Sequence, residues 1–187
     1  MAFVKLEYFP NIITIFRIIL VFPIGWALLN GHFDIAFLLV LIAGISDGLD
    51  GYIARQFHWT SDFGAFTDPL ADKLLMLVVF SSLTWLGIIP LWFFLLLFCR
   101  DVLIMLGVMI YRRFSSQPNL KASWLSKINT SLQIVFALLV LFNISFIKLP
   151  DIVTDLAMLV VVVFTVMSFF GYAILFFREY YFSRSLN

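Results

Sequence analysis

The sequence predicts an all-α membrane protein, a six-transmembrane-helix bundle with both termini cytoplasmic. Three observations predict it. The 187 residues are 63% hydrophobic and 12% charged, with a mean hydropathy of +1.07. A soluble domain carries about 25% charged residues, so this chain has too little polar surface for a water-facing shell, and its solvent must be largely lipid. Six apolar stretches approach the length of about 20 residues that a spanning helix needs. The basic residues fall almost entirely on one side of those stretches.

The predicted spans are 11–29, 34–55, 64–86, 90–113, 126–146 and 152–177, within one domain of residues 1–187. None has the period-2 alternation of a barrel strand, and lipid offers backbone groups no other partner, so each must be helical. The first begins after Lys5 and Glu7, and no small-residue cleavage site follows a short apolar core. It therefore reads as a spanning helix and not as a removed signal peptide. Asn30-Gly31, and Gly87 with Pro90, signal turns, and Pro150 precedes the last span. The longest connection is 114–125, with Ser115, Ser116, Gln117, Pro118 and Asn119.

Lys5, Arg17, Arg55, Lys73, Arg100, Arg112, Arg113, Lys121, Lys127, Arg178 and Arg184 lie towards one side of these spans and Lys148 towards the other, 11 against 1. The positive-inside rule then places both termini, and the segment joining the second and third spans, in the cytoplasm. The expected location is a bacterial inner membrane, multi-pass, with the active site on the cytoplasmic face. A net charge of +1 offers no field for nucleic acid. Cys99 is the lone cysteine and reads as a small packing residue. The 23 Phe and five Trp read as lipid-facing or interfacial side chains.

The segment between spans two and three carries the chemistry. Asp47 and Asp50 are three apart, and Asp68 and Asp72 four apart, so on helices each pair shares a face. A short loop makes the two helices antiparallel, and four carboxylates can converge. Arg55 and Lys73 offset two of the four charges, and hard divalent cations with oxygen ligands would balance the rest. Two such ions on shared carboxylates suit phosphoryl chemistry. Gly51 and Ala54 lie four residues after Asp47 and Asp50, beneath them on the same face, leaving a groove for a diphosphate. Gly64 opens the third helix, whose free N–H groups favour a phosphate. A single interfacial Asp is as readily a solvated loop charge, as Asp62 is expected to be. Four in this spacing, with small residues interleaved, are a site. His58 is expected to be solvated, since hard cations prefer oxygen.

These residues resemble the signature of the CDP-alcohol phosphotransferases, D-x-x-D-G-x-x-A-R followed by G-x-x-x-D-x-x-x-D. Asp47, Asp50, Gly51, Ala54, Arg55, Gly64, Asp68 and Asp72 match all eight positions. The Pro10-Asn11-Ile12-Ile13-Thr14…Arg17 run and the six-helix layout resemble the same family. The resemblance implies that Asp47, Asp50, Asp68 and Asp72 hold two divalent ions, Mg2+ or Mn2+. It also implies that CDP-diacylglycerol is the donor and CMP the leaving group, and that Asp72 is the general base. Gly51, Ala54, Arg55 and Gly64 would shape the cytidine-diphosphate site. The residues alone point to metals and phosphate, and the nucleotide and lipid come only from the resemblance. Members are often homodimers, which adds a second copy to the expected partners alongside membrane lipids.

Arg100-Asp101-Val102-Leu103-Ile104 and the 126–133 run resemble the branch of eukaryotic-type cardiolipin synthases, whose acceptor is phosphatidylglycerol. The neighbouring phosphatidylglycerophosphate synthases, which use glycerol 3-phosphate, usually show Arg-Glu at the first place and Gly-Lys-x-Lys-Thr at the second. Here Asp101 replaces the Glu, and Asn129 stands where the second Lys would be. One cation fewer suits a less highly charged acceptor, so phosphatidylglycerol is expected and glycerol 3-phosphate is the alternative. Arg100 and Lys127 read equally as structural ion-pair partners and as ligands of the acceptor phosphate. An alternative of another class is a cation transporter, since intramembrane carboxylates mark ion pathways. The clustering of the Asp residues at one face, without paired broken helices, argues against it.

Overall fold

The computed structural model describes residues 9–57, 62–114 and 124–184. They form six α-helices and, among the described residues, no strand: α1 Phe9–Leu29, α2 Phe33–Phe57, α3 Asp62–Trp85, α4 Leu91–Phe114, α5 Trp124–Ser145 and α6 Asp151–Arg184. Five follow the predicted segments within a few residues. α6 runs on past Phe177 to Arg184. Charge begins at Arg178, but charge limits burial in lipid and not helix formation, and no Gly or Pro lies between Arg178 and Arg184.

The expected turns form for backbone reasons. Gly31 and Gly87 have φ of 77° and 71°, the left-handed conformation that a side chain disfavours. Each closes a helix in the same way. The Gly31 N–H donates to the Leu28 carbonyl and the His32 N–H to the Ala27 carbonyl. The Gly87 N–H donates to the Thr84 carbonyl and the Ile88 N–H to the Leu83 carbonyl. Both are Schellman caps, which satisfy carbonyls that have no partner within the helix. The Pro90 carbonyl accepts from Phe93 N–H and that of Pro150 from Val153 N–H, so these prolines open α4 and α6.

The chain divides into two compact units, residues 1–89 with 137–149, and residues 90–136 with 150–187. In the first, α1 packs on α2 and α3. The buried stripe of α1 is Arg17, Leu20, Ile24, Ala27 and Leu28; α2 contributes Ala36, Val40 and Ala43, and α3 contributes Ala71, Leu75, Val79 and Leu83. Small residues at such positions let helices approach closely in lipid. At Gly25 the approach is tightest, since an added Cβ would lie 3.1 Å from Val78 Cγ1. In the second unit α4 packs on α6, and the Phe93 and Phe136 rings meet at 5.2 Å between α4 and α5. The buried stripes are Phe93, Leu97 and Arg100 on α4, Asn129, Gln133 and Phe136 on α5, and Val161, Thr165 and Ser168 on α6.

Polar groups are thus inside while large apolar ones are outside. Phe22 is 77% exposed and Trp85 84%, whereas Arg17 is 1% and Asn129 0% exposed. Water does not produce that arrangement; lipid does. Trp124–Ser145 and Asp151–Ile174 are long and apolar enough to cross a bilayer, and Ile15–Leu29 and Phe33–Ser46 are shorter apolar helices. The protein is a membrane protein.

Candidate active site

The predicted phosphate and metal residues occupy two helices of the first unit. Asp47, Asp50, Gly51, Ala54 and Arg55 lie in the second half of α2, and Gly64, Asp68 and Asp72 in the first half of α3. The side chains of Asp47, Asp50, Gly51, Ala54, Arg55, Gly64 and Asp68 lie outside the described residues, as does His58. Asp72 is described. Its carboxylate is 27% exposed, and Oδ1 accepts from Arg17 Nη1 at 2.6 Å. Ala71 beside it is fully buried and Lys73 half-buried. Asp72 is therefore an oriented oxygen donor at the edge of the helix packing, which fits the ligand chemistry of a hard divalent cation.

Arg17 is the residue of this site that composition and spacing did not assign. Arg55 and Lys73 are the cations expected from the sequence to offset the carboxylates, and Arg17 enters there only in the charge asymmetry and in the opening run of the first helix. A signal was present, because an Arg inside an apolar span is costly and needs a reason. Its partner could not be read from sequence, since Asp72 is 55 positions away on another helix.

The second unit holds a separate polar network around Arg100, which is 4% exposed. Nη1 donates to Asp101 Oδ1 at 2.6 Å. Nη2 donates to Ser126 Oγ of α5 at 2.9 Å and to Ser168 Oγ of α6. One turn along both helices, Thr165 Oγ1 donates to Asn129 Oδ1 at 3.0 Å. Gln133 lies a further turn along α5 and is 1% exposed. Arg100 Nε, Asn129 Nδ2 and Gln133 Nε2 are buried donors with no acceptor among the described residues. Lys127 is exposed, and the Arg100 network proceeds without it. Arg100 thus joins Ser126 and Ser168, and the Thr165–Asn129 pair lies a turn away on the same two helices; of these residues only Arg100 was predicted as a site residue. Arg100 and Asp101 cancel in charge, so the network is rich in donors and close to neutral.

A family model described as CDP-alcohol phosphatidyltransferase matches residues 7–167. A probable cardiolipin synthase (CMP-forming) of Drosophila melanogaster is 36% identical over 141 residues, 67% of this chain and 44% of that protein. A cardiolipin synthase (CMP-forming) of Streptomyces coelicolor is 35% identical over 71% of this chain and 64% of its own length. The CDP-diacylglycerol–glycerol-3-phosphate 3-phosphatidyltransferase of Bacillus subtilis is 33% identical over 86% of both chains. The match spans less than half of the length of the Drosophila relative.

Proposed function

Because the chain belongs to the CDP-alcohol phosphatidyltransferase family, we propose that it transfers a phosphatidyl group from CDP-diacylglycerol to an alcohol acceptor, releasing CMP, as a step of phospholipid biosynthesis. The observation that carries this reading is the motif: all eight positions, Asp47 to Asp72, fall inside the matched span 7–167.

Asp47, Asp50, Asp68 and Asp72 would hold two divalent ions, magnesium or manganese, which supply positive charge to a diphosphate and to a reacting oxygen. Gly51, Ala54, Arg55 and Gly64 would leave room for the cytidine diphosphate and contact it. In the transfer, the acceptor hydroxyl oxygen attacks the phosphorus that carries the diacylglycerol. One P–O bond forms to the acceptor, the bridging P–O bond to CMP breaks, and the hydroxyl proton passes to a carboxylate, for which Asp72 is the candidate base. Arg17, holding Oδ1 at 2.6 Å, keeps that carboxylate from turning away.

The acceptor reading is phosphatidylglycerol, with cardiolipin as the product. It is supported by the relatives named cardiolipin synthase and by the charge of the second unit. A phosphate monoester carries about two negative charges near neutral pH, and a diester headgroup carries one. A network in which Asp101 offsets Arg100 and a neutral Asn129 stands where a second Lys would be suits the diester. Arg100 is the candidate ligand of the acceptor phosphate, and exposed Lys127 a candidate at the rim. The Bacillus subtilis relative, matched over 86% of both chains, favours glycerol 3-phosphate as the second reading.

The topology belongs to the same proposal: six spans, both termini and the carboxylates at the cytoplasmic face of a bacterial inner membrane. The 11-to-1 division of basic residues supports it. The deciding experiment gives the purified protein labelled CDP-diacylglycerol with both acceptors and separates the lipid products. Cardiolipin with stoichiometric CMP is expected. Phosphatidylglycerophosphate as the main product would overturn the acceptor, and no CMP release with either acceptor would overturn the reaction.

A further inference from the structure

Arg17 is among the largest fully buried side chains, at 1% exposure, and it lies on the stripe of α1 that packs in the first unit. Taking a guanidinium out of water is costly unless an anion and well-placed hydrogen bonds accompany it. In an apolar helix of this length a Leu would fill the same space without that cost. Asp72 of α3 meets the guanidinium at 2.6 Å, a short charge-assisted contact. The pair therefore ties α1 to the helix that carries the last carboxylate of the motif.

We propose that Arg17 is the positioning residue of Asp72: through Nη1 it fixes the carboxylate's orientation before any metal or substrate arrives. The inference rests on the proposed function and deepens it. Asp72 is 27% exposed, so without a partner its side chain can rotate away from the helix packing and towards solvent. Arg17 opposes that rotation. An arginine suits this role because it stays charged when buried and its guanidinium is rigid and planar, so the one contact through Nη1 comes from a fixed direction, whereas lysine is a rotating point charge. A carboxylate oriented by a second residue binds a metal without first being ordered. Partners of this kind typically matter about 10–100-fold for metal affinity or activity.

The test uses the full-length protein in detergent, with Mn2+ as the probe, its binding followed by electron paramagnetic resonance and CMP release assayed alongside. Arg17→Gln should weaken Mn2+ binding and lower kcat by about 10–100-fold, with the KM for CDP-diacylglycerol much less affected. Arg17→Lys should restore part of both. On an Asp72→Asn background, Arg17→Gln should weaken Mn2+ binding no further, because changes acting through one contact are not additive. Mn2+ affinity and kcat unchanged in Arg17→Gln would overturn the proposal, and so would full additivity with Asp72→Asn. If Arg17→Gln fails to accumulate in the membrane, Arg17→Lys decides: it should bind Mn2+ more weakly than wild type, and wild-type affinity and kcat in it would overturn the proposal. A wild-type protein that neither binds Mn2+ nor releases CMP would overturn the proposed function itself, which separates the two failures.

Discussion

Two buried arginines, one in each compact unit, solve the same problem differently. Arg17 meets a carboxylate 55 residues away on another helix. Arg100 meets the carboxylate of its own neighbour, Asp101, and is then held by the hydroxyls of Ser126 and Ser168 from two other helices. In the first unit the charge itself joins the helices. In the second the charge is settled locally and neutral hydroxyls do the joining, leaving Arg100 Nε as a donor without an acceptor among the described residues. A contact that joins helices through charge fixes geometry. A near-neutral cluster joins helices through hydrogen bonds that each contribute less.

The largest expected effect separates the two regions by their dependence on metal. Excess chelator should abolish CMP release, and magnesium or manganese should restore it; full activity in chelator would remove the two-ion reading. Asp47→Asn, Asp50→Asn, Asp68→Asn and Asp72→Asn should each do the same without preventing membrane insertion, since each removes one charged oxygen ligand. Turnover within a few-fold of wild type in any of them would take that residue out of the site.

Stability should divide the regions next. Asp72→Leu removes the carboxylate that meets a buried guanidinium; a fully buried pair loses about 3–5 kcal/mol in this way, and with Asp72 27% exposed the loss should fall at the lower end. Asp72→Asn removes the same charge but keeps an oxygen for Arg17 Nη1, so it should unfold between wild type and Asp72→Leu, although it is inactive. In the second unit, Ser126→Ala or Ser168→Ala should cost only about 1.5–3 kcal/mol, the usual worth of one hydrogen bond to a charged group. Thermal unfolding in detergent measures all four. Equal losses for Asp72→Leu and Ser168→Ala would erase the contrast drawn between the two arginines.

What was legible in the sequence follows from what is local. The six helices could be read because spanning segments announce themselves by length and apolarity, and the turns because Gly31 and Gly87 must take a left-handed backbone. The motif could be read because its eight positions lie within 26 residues, Asp47 to Asp72. Pairings across helices were not legible. Nothing in the order of residues says that Arg17 faces Asp72, or that Ser126 and Ser168 converge on Arg100. Such contacts depend on which stripe of each helix is buried, and in a lipid-solvated chain nearly every face is apolar, so hydrophobic periodicity marks no stripe. α6 was cut short at Phe177 for a related reason, since hydropathy reports where lipid ends and not where a helix does.

The Asn129–Thr165 pair of the second unit offers a smaller effect. Thr165→Val removes the hydroxyl that donates to Asn129 Oδ1 and leaves a buried acceptor unmade, at about 1–3 kcal/mol. With Asn129 no longer held, the KM for the acceptor should rise more than that for CDP-diacylglycerol. A change confined to the donor KM would detach this network from the acceptor.

The smallest expected effect tests the packing beneath both regions with one methyl group each. Gly25 and Gly171 both lie inside helices, where alanine is favoured over glycine by roughly 1 kcal/mol in water-based scales. Their surroundings differ. At Gly25 the new Cβ would stand 3.1 Å from Val78 Cγ1, and at Gly171 it would stand 3.6 Å from Leu125 Cδ1. The second distance is ordinary contact with the tip of a flexible side chain, so Gly171→Ala should be neutral or slightly stabilising. The first is too close, and Val78 is β-branched with a stiff χ1, so relief must come from α1 and α3 moving apart by a few tenths of an ångström. Those are the helices that bring Arg17 to Asp72. Gly25→Ala should therefore lower the unfolding temperature slightly and reduce CMP release, while Gly171→Ala leaves both near wild type. Should the two variants behave alike, the close approach of α1 and α3 would not be what holds the carboxylate in place.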